Sequence, residues 1–66
     1  MILRILGYRI TIETPEWYRF SDTPSRALAR RRYRYALQNY PDVLVSLDVA
    51  FSDGTTTLLC MERKLP

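Results

Sequence analysis

Histidine is absent from these 66 residues, cysteine occurs once as Cys60, and glycine occurs only as Gly7 and Gly54. Each gap excludes a chemistry. A single cysteine forbids a disulfide within the chain, and without histidine no Cys/His zinc site can be built. The commonest general base is missing, and Cys60 has no imidazole to activate it as a nucleophile. Two isolated glycines cannot make a phosphate-cradling loop. The carboxylates are scattered over turns and strand ends, with no obvious pair. A chain without catalytic residues, cofactor or metal is the expectation.

Long apolar runs are also missing. No stretch approaches the ~20 apolar residues of a membrane span. The opening Met1-Ile2-Leu3-Arg4-Ile5-Leu6 is too short and too interrupted for a signal peptide. A cytoplasmic protein without membrane contact is therefore expected. The length sets one small domain over residues 1–66, near the lower limit for folding without metal or disulfide. Stability at this size is modest unless a homodimer or a partner adds buried area, so monomer and homodimer both stay open.

Charge is plentiful and unevenly placed. The net charge is +3. Residues 23–41 hold Arg26, Arg30, Arg31, Arg32 and Arg34 with no acid, whereas the remainder has five basic residues against seven acidic ones. The positive end of the molecule lies on one segment.

Periodicity assigns the elements. Tyr8, Ile10 and Ile12 alternate with polar residues as a strand does, and Gly7 resets the pleat after Leu3 and Ile5. Thr14-Pro15-Glu16 reads as a turn into Trp17-Tyr18-Arg19-Phe20. That loop pairs Ile12 with Tyr18 and Ile10 with Phe20, leaving Arg9, Thr11, Glu13, Trp17 and Arg19 on the outer face. Thr23-Pro24 starts a helix over 24–40, with threonine as cap and Pro41 as stop. Ala29, Tyr33, Ala36, Leu37 and Tyr40 form its core stripe, and Leu28 and Tyr35 a second, weaker one. Val43, Val45, Leu47, Val49 and Phe51 share one face of the next strand. Ser52-Asp53-Gly54 then suits a three-residue hairpin loop, pairing Leu47 with Leu59 and Val45 with Met61; a two-residue turn would pair Val49 with Leu58. Cys60, within an apolar run, is expected in the core. The order is ββαββ, an α+β fold with a single helix packed on one face of a mainly antiparallel four-stranded sheet.

Two surfaces could bind. At about 100° per residue, Arg26, Arg30 and Arg34 form a ridge, flanked by Arg31 and Gln38, with Tyr35 beside Arg31. As a solvated face, its guanidinium groups would meet carboxylates of the sheet or lie over tyrosines. As a functional face, it would meet phosphate or carboxylate in planar, bidentate contacts. The target would be an acidic protein or ribonucleoprotein groove, or a nucleic-acid backbone directly. The second surface is Arg9, Trp17 and Arg19 on the outer sheet face, where an aromatic between arginines could stack a base. A third possibility is strand addition through Met1–Leu6 or Thr55–Arg63, as in a structural or assembly protein.

The Thr23-Pro24 capped helix, with Ala29 and Ala36 toward a sheet, followed by the Val43–Arg63 hairpin, resembles very small phage-encoded anti-CRISPR inhibitors over Tyr8–Arg63. The resemblance is architectural. It implies a stoichiometric blocker, acting in the host cytoplasm, that docks on a CRISPR effector.

Overall fold

A computed structural model describes residues 2–65. The elements follow in the order β1 (Ile5–Glu13), β2 (Tyr18–Thr23), α1 (Arg26–Asn39), β3 (Val43–Phe51) and β4 (Thr56–Lys64). The strands form one four-stranded sheet in the order β2-β1-β3-β4, all neighbours antiparallel. This is the ββαββ, α+β arrangement that the hydrophobic periods predict. The helix lies over β1 and β3 on one face, the helix face, leaving an opposite, open face.

The core is small and sits under the helix. Ile10, Val43 and Val45 are its largest fully buried side chains, joined by Leu47, Ala29, Tyr33 and Ala36. Alanine at 29 and 36, both without exposed surface, lets the helix backbone approach the sheet closely. Leu37 and Tyr40 complete the expected stripe as half-buried neighbours. Gly7 follows the slip of register between Ile5 and Gly7, where the pleat resets as expected. A Cβ on Gly7 would stand 3.0 Å from the Thr23 carbonyl oxygen, so the strand and the approach to the helix can meet only at glycine.

Capping differs from expectation by two residues. Ser25, not Thr23, is the N-cap, and its Oγ accepts from the Leu28 N–H at 3.1 Å. Thr23 instead ends β2, buried, and its hydroxyl accepts from the Ser25 N–H at 3.2 Å. Its side chain shapes the turn before the helix rather than the helix end itself. Tyr40 is the C-cap, immediately before Pro41.

Two registers differ from expectation by one residue, and both differences change faces. In the first hairpin Glu13 pairs with Tyr18, Thr11 with Phe20, Ile12 with Arg19 and Ile10 with Ser21. The loop holds four residues rather than three because Thr14 closes it. Its backbone N–H donates to the Trp17 carbonyl at 2.9 Å, and its hydroxyl accepts from the Trp17 N–H at 3.1 Å. A slip of one residue moves every side chain of a strand to the other face. Tyr18 and Phe20 therefore stand on the open face, and Arg19 and Ser21 on the helix face.

In the second hairpin the three-residue loop Ser52-Asp53-Gly54 forms as expected. Phe51 donates to the Thr55 carbonyl at 2.9 Å, and Gly54 adopts φ +87°. Asp48 faces Leu58 and Val49 faces Thr57, but a bulge at Leu59 shifts the remainder. Leu47 then faces Cys60 and Val45 faces Glu62, instead of Leu59 and Met61. Cys60 thus lies on the helix face, yet it is exposed and not a core residue. The helix does not extend over β4, and all nine residues of that strand are exposed.

One contact does tie β4 to the helix: the Tyr33 hydroxyl donates to Glu62 Oε1 at 3.0 Å. Burial, then the neighbouring Glu62 carboxylate, push the phenol above its ordinary range. The folded state thus holds the proton more tightly than the unfolded chain. Its contribution is intact below the unfolded value of about 10 and is lost as pH rises beyond it. Urea midpoints measured from pH 9 to pH 11 should fall, and Tyr33→Phe should flatten part of that decline.

Candidate interaction surfaces

The arginine ridge is positioned by the helix stripe that opposes it. Because Ala29, Tyr33 and Ala36 point into the core, Arg26, Arg30 and Arg34 fall on the flank and Arg31 and Gln38 on the crest, all exposed. Eight residues at 1.5 Å rise spread Arg26 to Arg34 over about 12 Å. Arg26, Arg30, Arg31 and Arg34, with the small Ala27 between them, enclose an open depression of about 580 Å³.

Among the described residues, no carboxylate pairs with this face. The ion pairs among the described residues are Arg9–Asp22 at 2.7 Å and Arg63–Asp42 at 3.7 Å. Glu62 accepts from Tyr33, and Asp53 accepts from its own turn at Thr55. Among the described residues, half-buried Arg32 alone of the helix arginines has a partner, donating to Ser21 Oγ of β2 at 3.5 Å. Arg26, Arg30, Arg31 and Arg34 have none among the described residues. The expected ion pairs of a merely solvated face are not formed.

The helix also carries its charge the wrong way round for its own stability. Arg26 occupies the first turn, the positive end of the helix dipole, with no acid there and no base in the last turn. Arg26→Glu should therefore stabilise the fold by about 0.5–1 kcal/mol, through the dipole and a new i, i+4 pair with Arg30. Thermal melts of the two proteins test it; an unchanged or lower midpoint contradicts it. A residue that opposes folding at its own position fits a role in binding.

Tyr35, 59 % exposed, lies one turn beyond Arg31 and meets the Tyr40 ring edge-on at 6.5 Å between centroids. It is not part of the core. Leu28 is half-buried beside it in helical projection.

The second predicted surface does not assemble. Arg9 is on the open face, where its Nε and Nη2 donate to the two Asp22 oxygens at 2.7 and 3.0 Å and its guanidinium lies 4.3 Å from the Phe20 centroid. This pairing holds the Asp22 carboxyl below its ordinary range. Trp17 precedes β2 and packs edge-on against Tyr40 at 5.2 Å, with Arg19 over its ring at 5.0 Å. Arg9 is thus separated from Trp17 and Arg19 by the sheet, a consequence of the four-residue loop.

A surface that the sequence periodicity does not predict replaces it. Tyr18, Phe20, Leu58 and Met61 all stand exposed, and register puts them on the open face. A shallow groove of about 590 Å³ runs along that face past Arg9, Thr11, Tyr18, Asp48 and Thr56. The one signal for it was Thr14, whose side chain can close a four-residue loop as readily as a three-residue one. The Met1–Leu6 segment proposed for strand addition begins outside the described residues. Its described part is exposed, and Arg4 is held to the β3–β4 turn by Ser52.

No helix among the described residues is long and apolar enough to cross a membrane, and none of their His, Cys, Asp or Glu side chains cluster as a metal site. Comparison with protein-family models, curated proteins and solved structures finds no match to this chain.

Proposed function

We propose that this chain is a small non-catalytic binding protein that docks its arginine helix on an acidic surface of a nucleic-acid-handling protein complex. A phage-type inhibitor of a CRISPR effector is the kind of protein that acts in this way. The observation that carries the reading is a row of exposed guanidinium groups, Arg26, Arg30, Arg31 and Arg34, with no acid paired to them among the described residues. Exposed Tyr35 next to that row favours a protein partner, because arginine with tyrosine is the usual composition of interface hot spots. Gln38 extends the polar margin of the patch.

The depression between the four arginines favours a second reading, direct contact with nucleic-acid phosphates. Anisotropy titrations of a labelled duplex and a labelled single strand, at 50 and 200 mM salt, separate the two. Four phosphate contacts predict about a 150-fold loss of affinity over that fourfold change. Absence of binding at 50 mM removes the second reading. For the first, the immobilised protein is offered nuclease-treated lysate beside R30E/R34E. A partner retained equally by both proteins overturns the reading.

A further inference from the structure

The edge strand β4 is left in a state that natural sheets avoid. All nine of its residues are exposed, no helix or loop among the described residues covers it, and Thr55–Met61 contains neither a charge nor a proline. The opposite edge, β2, is six residues long, bracketed by Pro15 and Pro24, and carries Arg19 and Asp22. Short length, proline and charge are the usual devices against edge pairing; β2 combines all three, whereas β4 has charge only at its C-terminal end, Glu62-Arg63-Lys64.

The molecule is also too open for its mass. Its extents are 45 × 20 × 16 Å, and its radius of gyration is 12.5 Å, against about 10.8 Å for a compact domain of this length. The accessible surface is 4949 Å², whereas a monomer of 7.8 kDa exposes roughly 4,400 Å². The surplus of roughly 550 Å² is of the order that each partner contributes to a standard interface, about 800 Å².

We infer that β4 pairs antiparallel with β4 of a second copy, about a two-fold axis at Cys60, to make one continuous eight-stranded sheet. Cys60 is the midpoint of Thr56–Lys64, so this axis engages the whole strand. The Leu59 bulge decides which faces match. Leu58 and Met61 stand on the open face, and Thr57, Cys60 and Glu62 on the helix face. With Leu59 left out of the pairing on both strands, each Met61 meets the partner copy's Leu58, Glu62 meets Thr57 and Arg63 meets Thr56. Faces agree throughout, apolar meets apolar twice, and no like charges oppose. Two-fold closure uses both β4 edges and leaves only the protected β2 edges, so assembly stops at two.

Stacking two open faces is the competing dimer, and it would take the Arg9–Asp22 pair, Asp48 and Glu13 out of water. Edge pairing leaves these charges solvated. It also has a consequence for the arginines. Arg32 reaches β2 and Tyr33 reaches β4, so the Arg26/Arg30/Arg34 flank is on the β4 side of the helix. In the dimer the two helices stand about 19 Å apart, four strand spacings, and both arginine ridges line the trough between them. The dimer itself does not depend on the docking reading, because its test requires no partner.

Sedimentation equilibrium between 5 and 200 µM should give twice the 7.8 kDa chain mass at the upper end. Mild oxidation of the wild-type chain should then link the dimer through Cys60, since directly opposed Cα atoms lie about 4.5–5.5 Å apart, within disulfide reach. L58K/M61K should raise the dissociation constant by about 10- to 100-fold. L58K/M61E, which sets opposite charges against each other across the axis, should restore much of it. Both positions are about half exposed (51 % and 55 %), so the circular dichroism spectrum should not change. A monomer at 200 µM overturns the inference. So does a dimer that does not crosslink at Cys60, because stacked open faces would hold the two thiols on opposite outer surfaces.

Discussion

R30E/R34E should lose partner binding by about two to three orders of magnitude while keeping its fold. Each substitution removes a charge-assisted contact and places a carboxylate against an acidic surface. Two such changes together cost roughly 3–4 kcal/mol of binding. Neither side chain has an internal hydrogen bond or ion pair among the described residues, so the fold loses nothing that they supplied. The matched control is R4E/K64E, which changes net charge by the same amount, from +3 to −1, at exposed positions away from the helix. If the two double variants lose binding equally, net charge is responsible and the ridge is not a site. If only R30E/R34E loses it, position matters. Binding of the partner captured in the lysate experiment, read at 150 mM salt, provides the comparison.

Ile10→Ala should leave the isolated chain mostly unfolded at 37 °C. Ile10 has no exposed surface, lies between Ser21 of β2 and Leu47 of β3, and belongs to the cluster with Ala29, Tyr33 and Ala36 of the helix. Truncating a buried isoleucine typically costs about 2–5 kcal/mol, in lost transfer energy and in the cavity left behind. A domain of this size has about 3–5 kcal/mol in total. The residue touches both layers, so neither can settle into the gap without losing the other. Leu58→Ala, on the exposed edge, should change stability of the monomer by no more than about 0.5 kcal/mol. Urea denaturation followed by circular dichroism, at a protein concentration below the dimer range, reads both. A shift under about 1 kcal/mol for Ile10→Ala would mean that the core is not centred where the sheet and helix meet.

These two variants probe properties of different origin. The core at Ile10 and the arginine row at 26, 30 and 34 are both legible in the sequence, because each depends on spacing within one element. Alternation in β1 and β3 marks an inward face whatever the strand pairs with. A helical stripe at Ala29, Tyr33 and Ala36 leaves the arginines outside whatever lies beneath. Helix, strands and their order are local in the same sense.

What lay beyond the sequence was the register of β2 and of β4 past its bulge, where one strand is laid against another. Thr14 closing a four-residue loop sent Tyr18 and Phe20 to the open face and separated Arg9 from Trp17 and Arg19. The bulge at Leu59 sent Met61 outward and brought Cys60 and Glu62 opposite Leu47 and Val45. With a side-chain period of two residues, a change of one in a loop or ladder reverses a whole strand, yet it alters no periodicity that a sequence displays. Local spacing thus determined which elements form and which helix face is charged. Only tertiary closure decided which aromatics are left uncovered, and that β4 has no neighbour on its outer edge.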